Sequence, residues 1–401
     1  MNIRPTTPVR LARVLMYTAY FAPEYSGAAL QALTLAKELR QRGHAVEFAT
    51  NRWPGLSDET EVEGFRVYRL EPGRGKKHRE LRLWWNMARY AVRRRRDFDI
   101  LHSHGAYFTN AFVGPLARWL GLKSVIKASL AHDDVLGLGQ GIVGKAHKAM
   151  LARIDSCVAI SRDLVDEFNA GGLRPDQIHF IPNGVDTDRF QRCTEEEARA
   201  ARLAAGLPTD RRILLFVGVL DQRKNILWLA ENWIAHQGFG TGALLLAVGP
   251  QARDDKAGTL RSRLRELAQA HPEHFALHDF RADVTAYYRC ADLLILPSAR
   301  EGLPNVVLEA MACALPCVAA RASGSRELIV EGETGHTFEP DNPSDLSRAV
   351  RACLSEKGPL MGDNARKRAL RVYSIPAIAD AYQAMYTRLL QGPDAASSQH
   401  V

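Results

Sequence analysis

The sequence has no apolar run long enough to cross a bilayer, and its N-terminus, MNIRPTTPVRLARVLMY, has neither the apolar core nor the small-residue cleavage site of a signal peptide. A cytoplasmic protein is therefore expected. Cysteine is scarce as well. Cys157, Cys193, Cys290, Cys313, Cys317 and Cys353 form neither a disulfide framework for a chain of this length nor a four-ligand zinc spacing. Cys313 and Cys317 are the closest pair, but Pro316 between them is expected to end a helix, and buried free thiols are the better reading. No repeat of solenoid period and no low-complexity block is present. What remains is the composition of an ordinary globular protein, 46% hydrophobic and 24% charged. At 401 residues the chain exceeds the usual size of one hydrophobic core, so two domains are expected. The formal net charge of +8 favours anionic partners, whether nucleotide diphosphates, nucleic acid or an acidic membrane surface, without choosing among them.

Short apolar runs recur along the chain, each ending in polar or turn-forming residues: VLMYTA, VEFAT, ILHSHG, SVIKAS, CVAIS and HFIPNG, then ILLFVG, LLLAVG, LLILPS and CVAAR. Segments of helical periodicity separate them. This alternation predicts an α/β protein with doubly wound parallel sheets, whose ligands bind beyond the carboxyl ends of the strands. The break between domains is placed near residue 190, after HFIPNGVDTDRF, because EEEARAARLAAGLPTDRR reads as a polar helix and turn before a new strand series opens at Ile213. The expected division is a first Rossmann-like domain over 1–190 and a second over 191–375. A last helix over 376–391 is expected to cross back to the first domain, and a frayed tail to follow over 392–401.

The strongest local signal is LPSAREGLPNVVLEAMACALPCVAA. After the strand LLILPS, residues Glu301, Gly302, Leu303 and Pro304 form a turn that opens a helix, with Pro304 suited to its first turn. Amides at a helix start, together with the helix dipole, bind phosphate. Glu301 before the helix and Glu309 about a turn into it could each grip a pair of neighbouring hydroxyls, as sugars and riboses offer. Taken alone, such a pair is more often a helix cap and a solvated side chain.

The chain resembles family 4 of the retaining glycosyltransferases, which have the GT-B architecture of two facing Rossmann-like domains with an interdomain cleft. Glu301 and Glu309 match the family's two glutamates separated by seven residues, with LPS before them and LEAMA around the second. The resemblance extends through APEYSGAALQALTLAKELRQRGHAVEFAT, the stretch from Cys157 to Phe190, FVGVLDQRKN and GSRELIVEGETGHTFEPDNP, nearly the whole chain. It implies that Glu301 contacts the transferred sugar and Glu309 the ribose hydroxyls, with main-chain atoms of Gly302, Leu303, Pro304 and Asn305 beside the diphosphate or sugar. Pro304 has no amide hydrogen, so the donors there are its neighbours. Lys224 in GVLDQRKN matches the family lysine that neutralises the leaving diphosphate, and Gly218 in the same loop joins the donor site. The family usually has Arg after that glycine, where this chain has Val219, so either Arg223 supplies the second cation or one suffices. Gly27 corresponds to the family's glycine loop at the donor phosphates, its usual glycine pair here being Ser26-Gly27. His132 in SLAHDD matches a histidine near the transferred sugar, where it could hydrogen-bond a sugar hydroxyl; a satisfied structural histidine is an equal alternative, with Asp133 or Asp134 available to hold its tautomer. Glu327 resembles a further donor-side carboxylate of structural character.

Other motifs are discounted. His102 and His104 in ILHSHG are expected to point to opposite faces of a strand end, which argues against a shared metal. Asp97-Phe98-Asp99 and Asp186-Thr187-Asp188 imitate a metal-binding Asp-X-Asp but lack its strand context. No metal and no cofactor is expected beyond the nucleotide-sugar donor. The segment RGKKHRELRLWWNMARYAVRRRRDFD, residues 74–96 at its core, carries Leu81, Trp84, Trp85, Ala88 and Val92 at helical spacing among Lys and Arg clusters. It reads either as an amphipathic helix on an anionic membrane surface or as an ordinary helix burying both tryptophans.

The activity expected is transfer of a sugar from a nucleotide diphosphate sugar to a hydroxyl of a glycan or lipid-linked acceptor, with retention and without metal. No nucleophilic carboxylate is evident, so a front-face reaction is favoured in which the departing phosphate takes the acceptor proton. The rivals are a sugar-nucleotide epimerase, a phosphorylase, an inactive relative in view of Val219 and Ala314, or a nucleic-acid-binding protein using residues 74–96, for which no recognisable motif speaks.

Overall fold

The computed structural model describes residues 10–23, 26–73, 79–130, 141–252, 255, 257–279 and 283–391. The chain forms two compact units, Met1–Gly184 with Ile375–Val401, and Val185–Ser374. The first unit holds β1 (Arg13–Thr18), β2 (Ala45–Asn51), β3 (Glu59–Val62), β4 (Phe65–Leu70), β5 (Ile100–His104), β6 (Lys123–Lys127), β7 (Ser156–Ala159) and β8 (Ile178–Phe180) in the order β3-β4-β2-β1-β5-β6-β7-β8. The second holds β9 (Ile213–Val217), β10 (Leu244–Gly249), β11 (Phe275–Asp279), β12 (Leu293–Leu296), β13 (Cys317–Ala320) and β14 (Gly335–Phe338) in the order β11-β10-β9-β12-β13-β14. All pairs are parallel except β3 with β4.

All ten apolar runs became strands. The central ones, β5, β9, β10 and β12, are buried at every residue, because helices cover both faces of a parallel sheet and leave no solvent side to alternate toward. Four strands went unpredicted: β3, β4, β11 and β14. The β3–β4 hairpin turns through Glu63 and Gly64, both at positive φ (53° and 77°), the geometry a two-residue hairpin loop requires.

Helix α1 (Gly27–Gln41) starts at Ser26, whose hydroxyl accepts from the Ala29 amide at 3.1 Å, and buries Ala29, Leu33, Ala36 and Leu39. The helix Ile375–Gln391 packs into the same core through Ile378, Tyr382 and Tyr386. Fully burying an aliphatic or aromatic side chain contributes about 1.5–3 kcal/mol, so this helix is bound firmly to the first unit. The chain passes between units at Gly184/Val185 and again at Ser374/Ile375, where the sequence reading used 190 and 376. The reason is local. Gly184 is held in the first unit by Gln31, which donates to its carbonyl at 2.8 Å and accepts from its amide at 3.0 Å, while the Val185 amide donates to Tyr373 at 2.8 Å.

Candidate functional site

In the second unit the chain runs outward from β9 through β10 to β11, then returns to β12 on the other side of β9. The strand order therefore reverses between β9 and β12, and the loops after these two strands diverge around the crevice where doubly wound sheets take ligands. Lys224 and Arg223 lie on the first of these loops and Glu301 on the second. The Lys224 amide donates to the Asp221 carboxylate at 2.7 Å, which shapes the turn, and its ammonium donates to Glu301 Oε1 at 2.6 Å. Arg223 Nη1 stands 3.5 Å from the same oxygen and donates to the Arg300 carbonyl at 3.0 Å. Both side chains of the shorter pair are withdrawn from solvent, Lys224 13% and Glu301 8% exposed. Glu301 is thus no helix cap; it is a carboxylate shared by two cations.

The helix Asn305–Ala312 begins after Pro304, which stands at the capping position, one residue before the first turn in which the sequence placed it. Its φ of −70° and ψ of 116° are extended, and its ring supplies no side-chain cap to the amides that follow. Gly302 and Leu303 are buried in the preceding turn. This turn is pinned from β13's side by Gly324, where a Cβ would lie 2.1 Å from the Gly302 carbonyl oxygen; only glycine permits that approach. Gly218 lies at the base of the Lys224 loop, a Cβ there coming within 3.8 Å of Lys224 Cε.

Glu309 lies one turn into that helix. Tyr288, from the helix Thr285–Cys290, donates its hydroxyl to Glu309 Oε2 at 2.6 Å. Burial raises the Glu309 carboxyl above its ordinary range, opposed by the Tyr288 hydrogen bond and the charge of Arg189. The sequence reading missed Tyr288 and Gly324. Their signals were a tyrosine in the helix leading into β12, and the glycine of GSRE after β13.

The remaining candidates belong to the first unit. Gly27 is the first residue of α1, behind the Ser26 cap, and has an ordinary helical backbone. His132 lies outside the described residues, as do Asp133 and Asp134. The expectation for His102 and His104 is overturned: their rings are 4.3 Å apart on one face, because residues two apart on a strand point the same way. Both Asp-X-Asp sequences have structural work. Asp99 takes Arg13 at 2.8 and 3.0 Å, Asp97 takes Arg94 at 2.7 Å, and Asp186 accepts the amides of Asp188 and Arg189 at 3.1 and 2.9 Å.

Helix α2 (Arg79–Arg93) splits its two tryptophans. Trp84 stacks on Phe112 and donates to the Thr109 carbonyl at 3.0 Å, whereas Leu81, Trp85 and Val92 are 60%, 68% and 45% exposed. These three, with Ala88, form one stripe, beside which Arg82, Arg89 and Arg93 also face solvent. Among the described residues no helix is long and apolar enough to cross a membrane.

Comparison with known proteins agrees over both units. Residues 25–189 match Glycosyltransferase Family 4 and residues 211–356 match Glycosyl transferases group 1. The chain is 31% identical over 339 residues to a D-inositol 3-phosphate glycosyltransferase of Geodermatophilus obscurus, covering 76% of this chain and 69% of that protein. A protein of the same description from Acidothermus cellulolyticus is 32% identical, with 64% of this chain and 60% of that protein covered. Among solved structures, sucrose-phosphate synthase from Thermosynechococcus elongatus superposes with a TM-score of 0.79 at 21% identity, over 95% of this chain and 99% of that one. Anabaena Alr3699/HepE in complex with UDP and glucose superposes at 0.76 and 18% identity, over 94% and 99%. Both structures share the fold, two Rossmann-like units of the GT-B type.

Proposed function

The chain belongs to glycosyltransferase family 4 and is a nucleotide-sugar-dependent glycosyltransferase; we propose that it transfers its sugar with retention of configuration to a hydroxyl of a glycan or lipid-linked acceptor. The observation that carries this reading is the Lys224–Glu301 pair at 2.6 Å, set where the second unit's strand order reverses and beside the start of the helix Asn305–Ala312, where Pro304 supplies no side-chain cap. The second unit takes the donor. Glu309 accepts from the ribose hydroxyls, and the amides of Leu303 and Asn305 approach the diphosphate. Glu301 accepts from the transferred sugar as Lys224 turns to the diphosphate.

In the reaction the acceptor oxygen bonds the anomeric carbon on the face from which the diphosphate departs. The bond between that carbon and the phosphate oxygen breaks with its electron pair going to the oxygen, which also receives the acceptor proton. Charge accumulates on the leaving phosphate, where the Lys224 ammonium, turned from Glu301, stabilises it. Lys224 and Arg223 provide this cationic charge, so the proposal includes no metal requirement, and turnover is expected to survive a chelator unchanged.

Localisation is proposed as cytoplasmic, with peripheral attachment to an anionic membrane through α2. Leu81, Trp85 and Val92 supply the apolar stripe, and Arg82, Arg89 and Arg93 the charge, each basic residue contributing about 1 kcal/mol at such a surface. Equal co-sedimentation with anionic and neutral vesicles would remove this part.

The donor reading is tested by thermal shift with UDP, GDP and ADP sugars, then by transfer and hydrolysis with the stabilising donor. At 100 times its dissociation constant a ligand adds about 2.7 kcal/mol, within reach of the method. Transfer that fails in Glu301→Gln and Lys224→Ala supports the assignment. Donor consumption without acceptor would indicate an epimerase, and a need for inorganic phosphate a phosphorylase; either refutes it.

A further inference from the structure

The Tyr288 hydroxyl has two acceptors within reach of its one proton. Glu309 Oε2 lies at 2.6 Å and the Val306 carbonyl at 3.4 Å, both on the helix Asn305–Ala312. Residues three apart share one face of a helix, so a small tilt of the tyrosine ring decides which of the two receives the proton. The ring is set by Phe190. The two rings stand edge to face, 5.5 Å apart at 89°, and both side chains are buried.

Phe190 closes a well-bonded turn. Its amide donates to the Asp186 carbonyl at 2.9 Å, and the Asp186 carboxylate accepts the amides of Asp188 and Arg189. Arg189 donates to Asp283 at 3.3 Å, and Asp283 accepts the amide and hydroxyl of Thr285, the first residue of the helix that carries Tyr288. That ion pair is exposed and contributes little. A second tie comes from Arg366 of the helix Gly358–Arg368, whose Nη1 donates to the Phe190 carbonyl at 3.4 Å and to the Ala312 carbonyl. Ala312 is the last residue of the helix that carries Glu309, where a cation also offsets the negative end of the helix dipole. One turn earlier on the helix of Arg366, Gly362 packs so closely that a Cβ would lie 2.0 Å from the Ala314 carbonyl oxygen. The ring of Tyr288 and the helix of Glu309 are therefore both held to Phe190.

We propose that Phe190 and Arg366 are positioning residues for the donor, holding the Tyr288 ring and the helix Asn305–Ala312 in the register that gives the Tyr288 proton to Glu309 rather than to the Val306 carbonyl. The inference rests on the reading that Glu309 receives the donor's ribose hydroxyls. A hydrogen bond from Tyr288 favours the ionised carboxylate, which has only acceptors to offer those hydroxyls. Displacing the ring weakens the donor without touching the leaving group, so the loss belongs in the donor KM and not in kcat.

The test compares Phe190→Leu and Arg366→Met in the wild-type and Tyr288→Phe backgrounds of the full chain. Leucine keeps an apolar side chain at 190 and Arg366→Met leaves Phe190 in place, so the two variants do not share one folding risk. The probe is whichever of UDP, GDP and ADP binds the wild type, its dissociation constant read by calorimetry. In the wild-type background each variant should weaken the diphosphate at least fivefold and raise the donor KM, with kcat within twofold. In the Tyr288→Phe background each should change affinity by less than twofold, because the bond through which it acts is already gone. Equal losses in both backgrounds, or none in either, would overturn the positioning role. The Glu309 titration separates this from the donor reading. In protein carrying carbon-13 at the glutamate carboxyl, with the signal assigned by Glu309→Gln, both variants should move the titration to higher pH only while Tyr288 is present. Titration at the wild-type pH in both variants would overturn the proposal by itself. Binding of none of the three diphosphates would strike the donor reading and leave this titration to judge the positioning.

Discussion

The two units place ionisable groups at the same topological position and treat them in opposite ways. At the β9/β12 reversal each carboxylate already has a partner: Glu301 has Lys224 and Arg223, and Glu309 has Tyr288. At the β1/β5 reversal Lys127 is buried with no carboxylate partner among the described residues, and neither ring nitrogen of His104 has a hydrogen-bond partner among them. In the paired site the contacts offset part of the cost of withdrawing these groups from water. A buried lysine without a counter-charge is a local loss of stability, because burial disfavours its charged form. One sheet design thus yields a cluster of paired charges in the second unit and a buried lysine without a carboxylate among the described residues in the first.

The sharpest way to break this contrast is Lys224→Ala. It removes the ammonium proposed to face the leaving group and leaves Glu301 with Arg223 alone, so turnover should fall about 10²–10³-fold in steady-state assays, in line with loss of one charge-stabilising group. Wild-type turnover would end its assigned role. Lys127→Met comes next and acts in the other direction. An amine whose folded pKa is depressed binds fewer protons folded than unfolded, so stability rises with pH from about 7 toward the ordinary lysine value. Removing it should therefore stabilise the protein at pH 7 by roughly 2–4 kcal/mol, less at pH 10, as read by denaturant unfolding at the two pH values.

Tyr288→Phe probes the paired side more gently. Losing a hydrogen bond to a charged group is worth about 1.5–3 kcal/mol, which corresponds to at least a tenfold loss of donor affinity. Because that bond favours the ionised Glu309, its loss should move the acid limb of donor binding to higher pH. An acid limb at the wild-type pH would show that Tyr288 does not set the carboxylate. The smallest effect belongs to Ala314, which sits at φ 61° just past the helix Asn305–Ala312. The Leu315 amide reaches back to Ala310 and the Ala314 amide to Met311, both at 3.0 Å, the helix-ending pattern that favours glycine. Ala314→Gly should raise stability by about 1 kcal/mol with unchanged kinetics, measured by thermal unfolding.

Much of this was legible from local pattern. Strands buried on both faces read as continuous apolar runs, so β9, β10 and β12 stood out. β3, with the polar sequence ETEV at a sheet edge, and β14, with GHTF, had no such run. The turn at Glu63-Gly64 lacked the usual Asn or Asp before glycine, which hid the hairpin. In the candidate site, Lys224, Arg223 and Glu301 were read as separate motifs, and the structure brings them onto one oxygen atom. Tyr288 could not be read from its neighbours in sequence, since its partner lies 21 residues away across a strand.

The sequence by itself determined the fold class, the family and the motifs that carry the donor chemistry, because these depend on residue spacing within single strand-loop-helix segments. Only the tertiary structure decided which charges meet and which remain alone. The Lys224–Glu301 contact spans 77 residues and the His102–Tyr386 contact 284, and such distances close only when sheet order and helix packing are set. The same holds for Lys127, which has no carboxylate partner among the described residues. Whether a buried amine has a counter-charge depends on every element packed around it, and no local pattern records that.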